Sequence, residues 1–211
     1  MLKQKCDIWL LTEVSADTVA DDNIASALHV HHTHKHMTPQ KYWSAILSTK
    51  TIDPFPDPHP ASAAALIDGV AYCSSILPWA TCGSEPDQPW RGSSLGEKTE
   101  AALKPIQHLL ENKTTVWGGD WNQNLSGRWE HVGSQMMKDA IKSVLAALRL
   151  SVATRALPHR IQGSHTIDHI AVPADWTVSE AERISAIGLS DHDLYCIEAQ
   201  KQKLCESSPR D

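Results

Sequence analysis

The sequence lacks several features that would assign it to a familiar class at once. It contains no Cys-X-X-Cys pair, and its five cysteines are widely scattered, which indicates neither a zinc knuckle nor a disulfide framework. No apolar run approaches the length of a membrane span. Positive charge is also lacking, because the formal net charge is −6, and no basic field could hold nucleic acid by itself. These absences predict a protein of the reduced cytoplasm with no membrane partner.

What remains is the composition of an ordinary globular domain. Of 211 residues, 41% are hydrophobic and 21% are charged, which is enough to bury a sizeable core. No internal repeat is visible. We expect one domain over residues 1–199, followed by a polar tail over residues 200–211, and a monomer is the default oligomeric state.

A short segment in the middle of the chain carries the strongest chemical signal. The strand-like run Thr114 to Trp117 ends at two glycines, which are followed by Asp120 and Asn122. Side chains two residues apart point to the same face of an extended segment, so the carboxylate and the amide should project together. The glycines allow the backbone to bend or to approach a ligand closely. The alternative is a solvent-facing turn, for which the same residues are typical.

Acidic residues stand at the ends of three further predicted strands. Glu13 follows the strand 6–12, Asp168 and His169 lie in the strand 165–172, and Asp191 with His192 precedes the strand 193–199. Each signal by itself is equally compatible with a structural carboxylate or a turn.

Taken together and in this order, the segments resemble the endonuclease/exonuclease/phosphatase superfamily of DNase-I-like proteins. The resemblance rests on Cys6–Val14, on Gly119-Asp120-Trp121-Asn122, on Ile167–Ile170 and on Ser190-Asp191-His192. It implies an α/β (α+β) fold: a four-layered sandwich in which two mixed β-sheets are flanked by helices. It also implies a metal-dependent hydrolase of phosphate esters, with a nucleic acid, a nucleotide or a small phosphorylated molecule as substrate.

The resemblance and the chemistry of the side chains suggest a role for each residue. Glu13 and Asp191 would supply oxygen ligands to Mg²⁺ or Mn²⁺. Asp120 would accept a proton from the attacking water, and Asn122 would orient that water or bind phosphate oxygens. Asp168 would hold His192 in its protonated form.

The sequence also suggests roles for Arg160 and His169. Arg160 lies in a loop after a strand and could meet a substrate phosphate. His169 falls on the opposite strand face from Asp168, so we expect it to be structural.

The sequence departs from the pattern of the superfamily in two places. No strand precedes residue 6 to carry the metal-site Asn of the superfamily, and Ile76 stands where a phosphate-contacting His or Tyr is usual, although Ser74 or Ser75 could replace that contact. We therefore expect an N-terminally incomplete domain with weak metal binding, which an upstream extension of about 30 residues would restore. The alternative is a non-catalytic or truncated remnant that acts as a binding module.

Residues 14–41 contain five histidines but no apolar alternation: His29, His31, His32, His34 and His36. Such a density could bind a transition metal, but the tract has no Cys or carboxylate partner in its pattern and is more typical of a solvated loop. Helical periodicity predicts two helices, over residues 97–112 and 133–150, with Pro105 causing a late start or a kink in the first.

Overall fold

The strands form three hydrogen-bonded sets in the computed structural model, which describes residues 5–126 and 133–202. The first set is antiparallel, has the order β1-β4-β2 with β3 beside β4, and consists of β1 Ile8–Ser15, β2 His29–His32, β3 His36–Thr38 and β4 Lys41–Ser48. The second set has the order β5-β6-β7-β8-β10-β9 and consists of β5 Asp53–Pro54, β6 Ser62–Ile67, β7 Val70–Ser75, β8 Thr115–Asp120, β9 Leu150–Val152 and β10 Asp168–Pro173. It is mixed, because β7 and β8 run parallel. The third set pairs β11 Trp176–Ile184 with β12 Leu194–Lys201.

Four helices complete the described part of the chain: α1 Ala16–Ala20, α2 Asp22–Ala27, α3 Leu95–Leu110 and α4 Gln135–Ala147. Ser94 begins α3 with a capping box, in which its side chain accepts from the backbone of Glu97 while Glu97 reaches back. Ser134 caps α4 in the same position by accepting from the Met137 backbone. None of the described helices is both long and apolar enough to cross a membrane.

Strand alternation explains how these elements stack into layers. In β4, Ile46 faces the six-stranded sheet, whereas Ala45 and Leu47 pack on the side of the short helices α1 and α2. In β6, Ala63 and Ala65 face β4, and the neighbouring alanine packs under α3 and α4. Successive side chains point to opposite faces, so each sheet is apolar on both sides. The result is the predicted order of helices, sheet, sheet and helices, and the α+β four-layered expectation is confirmed.

One difference concerns the sheet opposite the six-stranded one. It is antiparallel and not mixed, and it is separate from the β11–β12 ribbon. Among the described residues, β1 pairs with β4 and β12 pairs with β11, which leaves one edge of each strand open. A groove of about 550 Å³ lies between these edges, with Ile8, Leu10, Cys196 and Glu198 among its lining residues.

The expectation of a loop over residues 14–41 is wrong. The segment contains α1, α2, β2 and β3, and the two strands pair with β4. Their backbone hydrogen bonds to an apolar neighbour form the strands, so no apolar alternation of their own is needed.

Several element bounds also differ from those expected. The first strand extends through Glu13 to Ser15, and the last strand extends past the expected start of the tail to Lys201. Pro105 does not delay α3, which begins at Leu95. Helical spacing places both Met136 and Met137 in the apolar stripe of α4, but Met136 is 59% exposed whereas Met137 is fully buried. The good helix formers Leu2 to Lys5 also predict the end of a helix before the first strand, but that prediction falls almost entirely outside the described residues.

At Gly119 the neighbouring strands β7 and β8 lie so close together that no side chain fits between them. Its φ is +124°, and an added Cβ would lie 2.2 Å from the carbonyl oxygen of Ser75. Gly118 has a similar neighbour, because a Cβ there would lie 2.8 Å from the carbonyl oxygen of His169. The close approach that these glycines permit is therefore to neighbouring strands of the protein and not to a ligand.

We expect Gly119→Ala to lower the free energy of unfolding by about 2–5 kcal/mol, because strained φ and a backbone overlap act together. Gly69→Ala is the matched control, since Gly69 also has positive φ (+77°) but nothing within 4 Å of an added Cβ. It should lose only about 1 kcal/mol from backbone strain. Urea unfolding of both variants measures the difference, and equal losses would contradict the assigned overlap.

Candidate active site

Two carboxylates are brought face to face by the pairing of β8 with β10. Asp120, the last residue of β8, lies directly opposite Asp168, the first residue of β10. Asp120 is only 8% exposed. Burial first, and then the negative charge of Asp168, raise the pKa of Asp120 to about 7. A carboxylate with this pKa can both accept and release a proton near neutral pH.

Asn122 is held against Asp120 by a tight turn in the backbone. Its φ is +54°, in the left-handed region that Asn tolerates better than most residues. The Asn122 backbone N–H donates to Asp120 Oδ1 at 2.9 Å, and its Nδ2 donates to Asp120 Oδ2 at 3.2 Å and to the Leu77 carbonyl at 3.0 Å. Both amide hydrogens are therefore used inside the protein, and the atom left for a water or substrate is the carbonyl Oδ1.

His192 pairs with Asp168 as the resemblance implied. Its Nδ1 lies 3.0 Å from each carboxylate oxygen of Asp168. This hydrogen bond, together with the charges of Asp168, Asp120 and Asp191, raises the pKa of His192 to about 9 despite partial burial. The ring is therefore an imidazolium at neutral pH, with Nδ1–H donating to Asp168 and Nε2–H free to meet an anion.

The loop that carries His192 is fixed by a buried carboxylate between two arginines. The side chain of Asp193 is 0% exposed and lies 2.7 Å from both Arg160 Nη2 and Arg183 Nε. Burial opposes ionisation, but the hydrogen bonds from Arg160 and from the Ala186 backbone, with the charge of Arg183, lower the pKa of Asp193 to about 2.

Arg160 also holds the backbone of the same loop. It donates to the carbonyl oxygens of Ser190 and His192 at 2.8 and 2.9 Å. The sequence suggested that Arg160 meets substrate phosphate, but its guanidinium is engaged within the protein. It positions the His192 loop.

The predicted metal ligands lie less deeply in the protein. Glu13 has φ +52°, and its half-exposed carboxylate accepts from Lys41 Nζ at 3.1 Å. Its charge also contributes to the raised pKa of Asp120, which places it near the buried carboxylate. Asp191 is exposed and acts electrostatically on His192. A direct approach of Asp191 to Glu13 stays a prediction.

The donor set fits a hard divalent cation. Asp120, Asp168 and His192 form the one group in the described part of the chain whose three ligand atoms all lie within 4.8 Å of one another. Because Asp168 and His192 already bind each other, the Glu13 carboxylate is the oxygen ligand beside this group that is best suited to Mg²⁺ or Mn²⁺.

The remaining residues singled out in the sequence are structural in their contacts. His169 points to the face opposite Asp168, is 1% exposed, and its Nε2 lies 2.8 Å from the Gln123 carbonyl. Ile76 is buried, Ser74 donates to the Leu11 carbonyl, and Ser75 accepts from Trp117 Nε1. No serine therefore replaces the missing phosphate contact at this strand end.

Sequence reasoning missed two residues beside the site. No sequence motif indicates that Lys41 lies beside Glu13, because only the pairing of β1 with β4 places it there. His159 lies in the loop that precedes Arg160, and the charges of Asp168 and His192 act on it. Its Nδ1 accepts from the Ile161 backbone, which directs the other ring nitrogen away from that turn. Neither residue has a sequence signal beyond its residue type.

No protein-family profile matches the sequence, and no curated protein matches it either. Solved structures do match its fold. An AP endonuclease from Archaeoglobus fulgidus is 16% identical with a TM-score of 0.64, over 96% of this chain and 91% of that one. The endonuclease domain of the telomere-specific non-LTR retrotransposon TRAS1 is 14% identical with a TM-score of 0.61, over 96% and 90%.

An endonuclease/exonuclease/phosphatase from Beutenbergia cavernae is 16% identical with a TM-score of 0.63. The match covers 92% of this chain but only 62% of that longer one. At these identities the likeness establishes the fold, and the DNase-I-like fold predicted from the four motifs is confirmed.

We expect Arg160→Ala to destabilise the protein by about 2–3 kcal/mol, because charged hydrogen bonds to the buried Asp193 carboxylate are lost. Arg155→Ala is the control, since Arg155 is exposed in the same region. That change should cost less than about 0.5 kcal/mol. Urea unfolding measures both, and an Arg160 variant as stable as the control would contradict the positioning role.

Proposed function

We propose that this chain, which has the fold of endonuclease/exonuclease/phosphatase structures, is a metal-dependent hydrolase of phosphate esters. The observation that carries the proposal is the convergence of a buried carboxylate of raised pKa with an imidazolium. Asp120 supplies the base, and His192 supplies the positive donor, within one group of neighbouring side chains. The superfamily resemblance of the motifs supports the same reaction class.

Each residue has a defined part in the proposed reaction. Asp120 accepts a proton from the water that attacks phosphorus, while Asn122 fixes the Asp120 carboxylate and can accept from the same water through Oδ1. His192 donates from Nε2 to a phosphoryl oxygen, and Asp168 holds its Nδ1–H. The P–O bond to the leaving group then breaks, and the leaving oxygen takes up a proton from solvent.

Glu13 and Asp191 would hold the divalent ion, which leaves the Asp120 carboxylate available as the base. A bound Mg²⁺ or Mn²⁺ would supply Lewis-acid stabilisation of the negative charge that develops on the phosphoryl and leaving oxygens. With a net charge of −6, the protein offers no general attraction for phosphate, so local cations must offset the repulsion.

Nucleic acid is the substrate class that we propose first. Ile161, Ile187 and Leu189 are 67%, 75% and 89% exposed on the two loops that Arg160 joins beside His192. Exposed apolar side chains next to a phosphate site suit a substrate that offers bases as well as phosphates. The AP endonuclease and the retrotransposon endonuclease domain that share this fold are nucleases by name.

We also propose a cytoplasmic location, because the four cysteines in the described residues are free, as in reducing compartments.

We expect Asp120→Asn and His192→Ala to lower phosphoesterase activity by about two orders of magnitude or more, because each removes a proton-transfer or electrostatic role. The assay is a screen of DNA, RNA, nucleotides and small phosphate esters with Mg²⁺ or Mn²⁺. His108→Ala, an exposed histidine on α3, is the control and should retain activity. If both site variants hydrolyse at the parent rate, the roles are wrong. If the parent protein hydrolyses nothing, the alternative of a non-catalytic binding module is favoured.

Chelation by EDTA should abolish the activity, and Mg²⁺ or Mn²⁺ added in excess should restore it, because carboxylate oxygens are the main ligands. Glu13→Gln should raise the Mg²⁺ concentration needed for half-maximal activity. Activity that survives exhaustive chelation would exclude the proposed metal dependence.

A further inference from the structure

A second cluster of ligating side chains lies where the sequence predicted a solvated histidine loop. His31 is on β2, His34 follows in the bend before β3, and Asp57 belongs to the proline-rich connector between β5 and β6. Asp57 Oδ2 accepts from the His34 backbone N–H at 2.7 Å and lies 3.0 Å from His34 Nδ1. The carboxylate partner that the local sequence lacked is therefore supplied by the fold from 23 residues away.

The other half of this cluster contains two buried atoms that face each other without a hydrogen-bond partner. His31 Nε2 lies 4.0 Å from Asp57 Oδ1, and neither atom has a partner within the described part of the chain. His31 is 9% exposed, and the side chain of Asp57 is 11% exposed. Buried polar atoms are nearly always paired, so two unpaired ones only 4.0 Å apart indicate a ligand that could bridge them.

The chemistry of the two atoms restricts which ligand fits between them. An imidazole nitrogen and a carboxylate oxygen are both common ligand atoms of a divalent metal ion. Burial also lowers the pKa of His31, against the opposing charge of Asp57.

We propose that His31, Asp57 and His34 bind a zinc ion at a site separate from the candidate active site. Two imidazole nitrogens and one carboxylate oxygen form a ligand set that suits Zn²⁺, with water in the fourth position. Mg²⁺ is disfavoured here, because it prefers a set of oxygen ligands.

Binding requires His31 and Asp57 to approach each other slightly and the His34 side chain to turn. Two ligands of a tetrahedral zinc ion lie about 3.4 Å apart, so His31 Nε2 and Asp57 Oδ1 must approach by roughly half an ångström. His34 now contacts the other carboxylate oxygen, but its side chain is 82% exposed and can turn toward the ion. The bound ion would tie the connector that enters the six-stranded sheet to β2 of the opposite sheet.

The experiment is a zinc titration against a competing chromophoric chelator. It uses the full chain carrying Asp120→Asn and Asp168→Asn, so that the candidate active site cannot contribute. We expect one zinc ion per chain and a higher melting temperature with Zn²⁺. Asp57→Asn should abolish both effects. His34→Ala should weaken binding at least about tenfold through loss of a ligand while the fold is kept, because this side chain is exposed.

His29→Ala is the matched control, because His29 is an exposed histidine on the same strand and should leave the affinity unchanged. Zinc should also shift the imidazole ¹⁵N resonances of His31 and His34 but not that of His29. The proposal would be overturned if the background, Asp57→Asn and His34→Ala proteins bound zinc with equal affinity. It would also be overturned if the background protein bound no zinc at all. The two buried atoms would then share an ordered water. The His34 variant decides the question if the Asp57 variant fails to fold.

Discussion

The antiparallel pairing of β8 with β10 is the constraint on which the candidate site depends. It sets Asp120 opposite Asp168, and the close contact of Gly119 with the Ser75 backbone fixes the strand that carries Asp120. Repulsion between two neighbouring carboxylates is unfavourable, and burial increases it. The fold resolves this conflict by giving Asp168 an imidazolium partner and by leaving Asp120 with a pKa near neutrality. The same repulsion raises the pKa of Asp120, and this raised pKa is what suits Asp120 to its proposed role as a base.

Cations distributed around the site offset the remaining negative charge. Lys41 pairs with Glu13, and Arg160 with Arg183 neutralises the buried Asp193 next to His192. None of these three cations belongs to a motif, yet they decide where the acidic residues can lie. A protein with a net charge of −6 thus relies on local pairing and, in our proposal, on divalent ions to accept a phosphate ester.

The elements of the fold that could be predicted from the sequence are those in which apolar side chains recur at a regular spacing. Strand-like patterns predicted β1, β8 and β10, and helical spacing predicted α3 and α4, because these elements bury an apolar face of their own. The strands β2 and β3 were missed since they are polar and exist through pairing with β4. The contact of Asp57 with His31 and His34 could not be predicted either, because contacts between distant residues leave no local pattern in the sequence.

The sequence by itself determined the fold class and the identity of the candidate catalytic residues. Short motifs at strand ends preserve their order and residue types, and chemistry restricts which residues can occupy them. Tertiary structure alone decided which contacts Arg160 and Asn122 make, since their donor groups are engaged inside the protein. It also decided that Asp120 and His192 have shifted pKa values. A residue type fixes which contacts are possible, but burial and the neighbours brought by long-range pairing fix which contacts are made.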